Sequence, residues 1–310
     1  MFGLKAERNH DQVVGTWYAV GAFSLWGILP LYWKALKNVP ASQIIAHRII
    51  WSFVVVAILL FLQHRIKELK QAVSSWRYRF FFLLSAVALG TNWFIYIWAV
   101  NAGHIVETSM GYFINPLLNV LLGMLFLRER LNFWQAISVA LAFTGVLYMT
   151  LEYGKLPWIA LSLAFSFAFY GLFRKTSHAG SLIGLLIETI ILSPAALTFI
   201  VFRQLNGTGA LGSVSFVSHI LLVCSGIVTA TPLLWFTHAA RRIPLASVGF
   251  FQYLAPSIQL IIGVIVFKEP FTSVHLVSFS LIWGALSIYS LSNTVIMQRF
   301  TPGGKKACGG

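Results

Sequence analysis

The chain has 310 residues, 58% of them hydrophobic and only 10% charged, with a formal net charge of +14 and a mean hydropathy of +0.80. A soluble domain carries about 25% charged residues; here the deficit comes from long apolar runs, with the charges gathered in the short gaps between them. That sets aside a soluble fold and a nucleic-acid partner, since no basic polar domain is present to hold a duplex, and the two cysteines, Cys224 and Cys308, cannot build a disulfide framework.

A helix crosses the hydrocarbon with about 20 apolar residues. After a tail at 1–13, segments of that kind fall at 14–33, 43–63, 79–100, 106–127, 132–150, 156–173, 181–202, 216–238, 244–267 and 272–292, followed by a tail at 293–310. The first run lacks a small-residue cleavage pattern and reads as a retained helix, not a signal peptide. Pro30, Pro116, Pro194, Pro232 and Pro256 interrupt spans, which bilayer helices tolerate when neighbours satisfy the freed carbonyls. The expected fold is an all-α integral membrane protein of ten transmembrane helices. With a cytoplasmic N-terminus, sixteen of the 22 Lys and Arg fall inside, and five (Lys34, Lys37, Lys155, Arg203 and Lys268) fall outside, leaving Arg48 within a span. A miscounted helix would scramble this bias, so both termini are expected in the cytoplasm. Trp17, Trp76, Trp134 and Trp158 stand near span ends as interfacial residues. The basic loop from His64 to Arg79 is expected to meet anionic membrane lipid.

A shift of 140 residues lays the fourth span on the ninth: Pro116, Gly123 and Glu129 fall on Pro256, Gly263 and Glu269, each Glu preceded by a base, Arg128 or Lys268. Ala22-Phe23-Ser24 meets Ala164-Phe165-Ser166 at an offset of 142. Two units follow, 14–150 and 156–292. Five spans per unit is an odd number, so the second unit must enter from the opposite side. Inverted repeats of this kind recur in secondary transporters, with the substrate near the midplane between the halves.

Several strings are distinctive: His47-Arg48-Ile49-Ile50-Trp51-Ser52, Asn92-Trp93 with Ile97-Trp98-Ala99-Val100-Asn101, and Gly111-Tyr112-Phe113-Ile114-Asn115-Pro116. Ala164-Phe165-Ser166-Phe167-Ala168-Phe169-Tyr170-Gly171 and Gly249-Phe250-Phe251-Gln252-Tyr253 extend the set. In these the chain resembles the RarD group of EamA-type transporters, in the drug/metabolite transporter superfamily, over roughly residues 10–295. The resemblance implies a ten-helix, exporter-like protein of the bacterial inner membrane, from a group named for chloramphenicol sensitivity. It supplies no physiological substrate.

Polar side chains are expensive in hydrocarbon, so each one within a span is a candidate. Glu188 lies about 10 Å into the seventh span at 1.5 Å per residue. A charged carboxylate at that depth is costly, which suits an acid that carries a proton or binds a cation; a hydrogen-bonded or Arg-paired structural acid is the other reading. Glu107 enters the fourth span only just past a loop and fits a helix N-terminus or water. Arg48 can grip a carboxylate or phosphate bidentately, with His47 beside it able to titrate; Arg48 could equally snorkel to headgroups.

Asn92, Trp93, Tyr96 and Asn101 mark one wall, and Trp93, Tyr96 and Val100 share a helix face. Tyr112, Asn115 and Asn119 repeat the pattern. In the second half Tyr170, Gln252, Tyr253 and Gln259 are comparable, with Gln252 and Gln259 on one face. Such aromatic-and-amide walls suit a planar or amphipathic solute; helix-to-helix hydrogen bonding at about 0.6–2 kcal/mol each is the alternative. Small residues at Ala160, Ala164 and Ala168, and at Ala136, Ala140 and Thr144, are assigned to helix packing.

No His, Cys and acid cluster recurs at metal-ligand spacing, no ATP-binding Gly-x4-Gly-Lys motif occurs, and no nucleophile–base set is legible. The reading is therefore a non-enzyme without cofactor or metal. It is a secondary transporter for a small-molecule solute, alternating between inverted halves and driven by a proton or other ion. A non-transporting sensor or structural membrane protein and an intramembrane enzyme are the lesser readings. Oligomeric state does not follow from the sequence.

Overall fold

The computed structural model describes residues 2–127, 133–177, 179–240, 242–243 and 251–291. Arg128 and Glu129 of the repeat and Gly249 and Phe250 of the motif lie outside the described residues, as does the side chain of Asn119. Every regular element among them is helical: α1 (Phe2–Ala35), α2 (Ala41–Leu62), α3 (Ile66–Ala72), α4 (Trp76–Ala102), α5 (Ile105–Leu127), α6 (Phe133–Tyr153), α7 (Trp158–Ser177), α8 (Ser181–Leu205), α9 (Phe216–Ala240), α10 (Leu254–Ile261) and α11 (Ser273–Leu291). Helices suit these apolar runs because each backbone donor then finds its acceptor within its own segment, which hydrocarbon demands.

Among the described residues seven helices are long and apolar enough to cross a membrane, and Trp158–Arg174 and Leu254–Val266 are shorter apolar helices. The outer surface carries large apolar side chains such as Phe61, Phe143, Leu151 and Phe202, while Gln43, Arg48, Asn92, Glu188 and Gln259 are buried inside. That inside-out distribution marks a surface that meets lipid. This is a multi-pass membrane protein.

The bundle is interleaved. α7 packs on α4 and α5, and α1 packs on α9 and α10; α2 lies against α8 and α9, α5 meets α10, and α6 pairs with α11. Two crossings bring backbones together. A Cβ at Gly226 of α9 would fall 2.3 Å from the Trp51 carbonyl oxygen of α2, and one at Gly111 of α5 would fall 2.7 Å from the Ala160 carbonyl oxygen of α7.

One expected packing stripe holds its place and the other does not. Ala160, Ala164 and Ala168 are fully buried in the α5–α7 contact. Ala136, Ala140 and Thr144 instead face outward on α6. The buried face of α6 is Ser138, Ala142 and Met149, joined by Gly145, where a Cβ would sit 3.1 Å from the Ser278 carbonyl oxygen of α11. Both faces of α6 carry small residues at helical spacing, and the partner helix decides which is used.

The ninth apolar segment also differs from expectation. Gln252 stands in a turn and Tyr253 caps α10, so Gln252 and Gln259 do not share a helix face. Pro256 sits in the first turn, where its missing N–H leaves no bond unmade. The helix closes in a π-helical turn at Ile262–Val266, after which the Glu269 N–H donates back to the Gly263 carbonyl at 3.0 Å.

Candidate functional site

Two buried charges organise the interior. Arg48 is 5% exposed and Glu188 is 0% exposed. Each stands seven residues into its helix, Arg48 after the Ala41 start of α2 and Glu188 after the Ser181 start of α8.

The Arg48 guanidinium carbon lies 4.0 Å from the centroid of Trp93 on α4 and 4.8 Å from that of Trp33 on α1, within the range where cation–π attraction is felt. Its Nε donates to Thr229 Oγ1 of α9 at 3.0 Å. Tyr32, Tyr96 and Tyr112 are its electrostatic neighbours. Among the described residues Nη1 is buried with no hydrogen-bond partner, as is the Tyr96 hydroxyl. Tyr96 packs edge-on against Tyr112, centroids 5.7 Å apart. The Tyr112 hydroxyl reaches Asn92 Oδ1 at 3.4 Å. Asn92 Nδ2 in turn donates to the Leu163 carbonyl at 3.1 Å and Ser166 Oγ at 3.0 Å, tying α4 to α7. One helix turn beyond Tyr112, Asn115 Nδ2 donates to the Ala164 carbonyl at 3.1 Å.

Glu188 is held differently. Ser85 Oγ of α4 donates to Oε1 at 2.8 Å, Arg174 Nε of α7 approaches Oε1 at 3.5 Å, and the Tyr170 hydroxyl of α7 reaches Oε2 at 3.5 Å. Arg174 also donates to the Ala179 and Gly180 carbonyls at 3.3 and 3.1 Å. Aromatic contacts join the two charges: Tyr112 meets Phe167 at 6.1 Å, and Phe167 meets Tyr170 at 5.7 Å.

The structure thus brings Arg48, Asn92, Trp93, Tyr96 and Tyr112 into one cluster, and Tyr170 and Glu188 into a second joined to it. His47 is buried beside Arg48 but is turned from it along the helix. Among the described residues Asn101 keeps both side-chain polar atoms buried without a partner, while its carbonyl accepts from Lys34 Nζ at 3.3 Å. Tyr253 is not part of the Arg48 cluster: it stacks on Phe113 at 6.5 Å, in the separate core that includes Phe279, and Gln252 hydrogen-bonds it. Among the described residues no three His, Cys, Asp or Glu side chains group so as to hold a metal ion.

Several partners were not legible in the sequence. Trp33 and Thr229 reach Arg48 from 15 and 181 positions away. Ser85 reaches Glu188 from 103. One signal was available: the offset of 140 that lays Pro116 on Pro256 also lays Arg48 on Glu188. Glu269, read as a mere span end, is the carboxylate at the α5 N-terminus, with Oε1 and Oε2 each accepting at 2.9 Å from the Ile105 and Val106 N–H groups. Lys34 donates to the Val100 carbonyl at 3.0 Å at the facing end of α4. Glu107 pairs with His104 at 3.0 Å in the same turn.

A multi-pass helical membrane protein with buried charges and an aromatic interior is the class these features define. Comparison with known proteins narrows it. Residues 13–151 match the model of the EamA-like transporter family. An "Uncharacterized transporter" of Vibrio cholerae is 43% identical over 91% of this chain and 94% of its own. The protein RarD of Escherichia coli is 42% identical over 93% of this chain and 97% of its own. A "Chloramphenicol-sensitive protein RarD" of Pseudomonas aeruginosa is 28% identical over 92% of this chain. A solved crystal structure, 20% identical, aligns with a TM-score of 0.59 over 89% of this chain and 97% of that one, a likeness of fold alone. The chain belongs to the RarD group of the EamA-like transporters, within the drug/metabolite transporter superfamily.

Proposed function

We propose that the chain is a secondary active transporter of the bacterial inner membrane. It exports a small metabolite or drug-like solute by alternating access between two inverted five-helix units, 14–150 and 156–292, with both termini in the cytoplasm. The observation that carries this reading is the pair of buried charges, Arg48 and Glu188, at matched depths in α2 and α8 and joined through aromatic side chains drawn from both units. The helix pairing supports a two-fold relation between the units, which an inverted repeat requires. Exchanging each helix for its equivalent turns the α4–α7 contact into α9–α1, and the α5–α7 contact into α10–α1, and both members of each pair occur. In this reading Glu188 is the proton-coupling acid, since Ser85, Tyr170 and Arg174 can hold its charged form while its burial makes that form costly. Arg48 with Trp93, Tyr96, Tyr112 and Asn92 forms the solute wall.

Label-free comparison of metabolites in the medium of knockout and overexpressing cells identifies the exported solute. In proteoliposomes that solute should then move with an imposed pH gradient, and Glu188→Gln should abolish the gradient-driven part of the flux. Unchanged pH-driven flux in Glu188→Gln removes Glu188 as the coupling acid.

A further inference from the structure

We infer that Arg48 binds the carboxylate of a monoanionic solute, with the flat apolar body of that solute against the aromatic side chains around it. The inference rests on the transporter reading for its purpose and deepens it by naming the substrate class.

Equivalent positions in the two units supply an internal comparison. Glu188 has an opposite charge within ion-pair range in Arg174, together with two hydroxyl donors. Arg48 has no carboxylate within ion-pair range among the described residues, although it is just as enclosed. A buried charge persists only when it is paired and hydrogen-bonded. Cation–π contact with Trp33 and Trp93 takes no hydrogen bond from the guanidinium and leaves its N–H donors to other partners. Nε is taken by Thr229, and Nη1 has no partner among the described residues. A guanidinium edge matches a carboxylate in shape as well as charge, where an ammonium would offer only a point charge. The Tyr96 hydroxyl, also buried and unpartnered, supplies a further donor from the same cluster. The surrounding rings accept a planar apolar body and give a highly charged one no second cation.

The test uses the purified full-length chain in lipid nanodiscs with three probes: benzoate, its neutral isostere benzamide, and inorganic phosphate. Benzoate should raise the melting temperature and perturb tryptophan emission, binding at least about tenfold more tightly than benzamide, the discrimination expected of a charge-assisted hydrogen bond. Arg48→Gln should erase that preference and Arg48→Lys should retain under a tenth of it, whereas Gly284→Ala, which faces the Leu141 side chain away from the cluster, should leave it unchanged. If Arg48→Gln does not fold, the benzoate-to-benzamide ratio of the wild-type chain still decides. Equal binding of benzamide, equal binding of phosphate, an unchanged preference in Arg48→Gln, or no benzoate binding up to its solubility limit overturns the inference. Carboxylate binding without flux in proteoliposomes would leave the site standing and remove the transporter reading. Gradient-driven flux of a solute without a carboxylate would do the reverse.

Discussion

Arg174 reaches Glu188 only because position 184 has no side chain: a Cβ on Gly184 would fall 1.6 Å from Arg174 Nη1. Gly184→Ala must therefore push the guanidinium aside and leave Glu188 with its hydroxyl donors alone. The expected loss of stability is about 1–3 kcal/mol, the range for weakening a charge-assisted buried bond. It is read as a lower melting temperature in micelles. In an Arg174→Ala background the same substitution should add almost nothing, and full additivity would show that Gly184 acts elsewhere. Such a dependence does not appear in a linear reading of residues. Arg48 and Glu188 stand out in sequence because charges are rare in apolar runs. Their partners do not, because Thr229, Ser85 and Arg174 are ordinary residues until helix rotation aims them inward.

Helices are the most legible elements of this chain, since apolar length alone predicts them. Each expected segment carries a helix among its described residues, with ends displaced by a few positions except at α1, which begins at Phe2, and at α10, which a turn at Gln252 and Tyr253 precedes. What length does not encode is the face each helix turns inward, as Ala136 and Ala142 of α6 illustrate. Closeness of approach is a second property settled by the partner. At Gly226 the obstacle to a Cβ is the α2 backbone itself, at 2.3 Å, which no rotamer change can relieve. Gly226→Ala should cost about 1–3 kcal/mol through forced separation of α2 and α9. Gly284→Ala, whose nearest obstacle is the Leu141 side chain at 3.5 Å, should be tolerated. Thermal melts of the two variants decide between them, and equal losses would contradict the crossing described here.

At the scale of the whole molecule, charge predicts an orientation, whereas helix pairing is not written in the linear order. The basic bias of the loops predicts which side each lies on, and a cysteine survey tests it. In a background carrying Cys224→Ser and Cys308→Ser, Gly207→Cys in the α8–α9 loop should react with an impermeant maleimide in intact cells. Ser74→Cys, between α3 and α4, should react only after permeabilisation. The reverse pattern would invert the protein and move Glu188 to the outer half. The contacts of α1 with α10 and of α7 with α5 are tertiary facts, and the proposed inverted repeat would make them equivalent. The turn between α4 and α5 brings these scales together. Lys34 from α1 holds the carbonyl end of α4, and Glu269, just past α10, holds the amide end of α5. Any motion that carries α10 away from α5 must release the Ile105 and Val106 amides to solvent. Under the alternating access proposed above, their hydrogen-exchange rates should act as a clock on that motion, one that runs without a label and without knowledge of the solute.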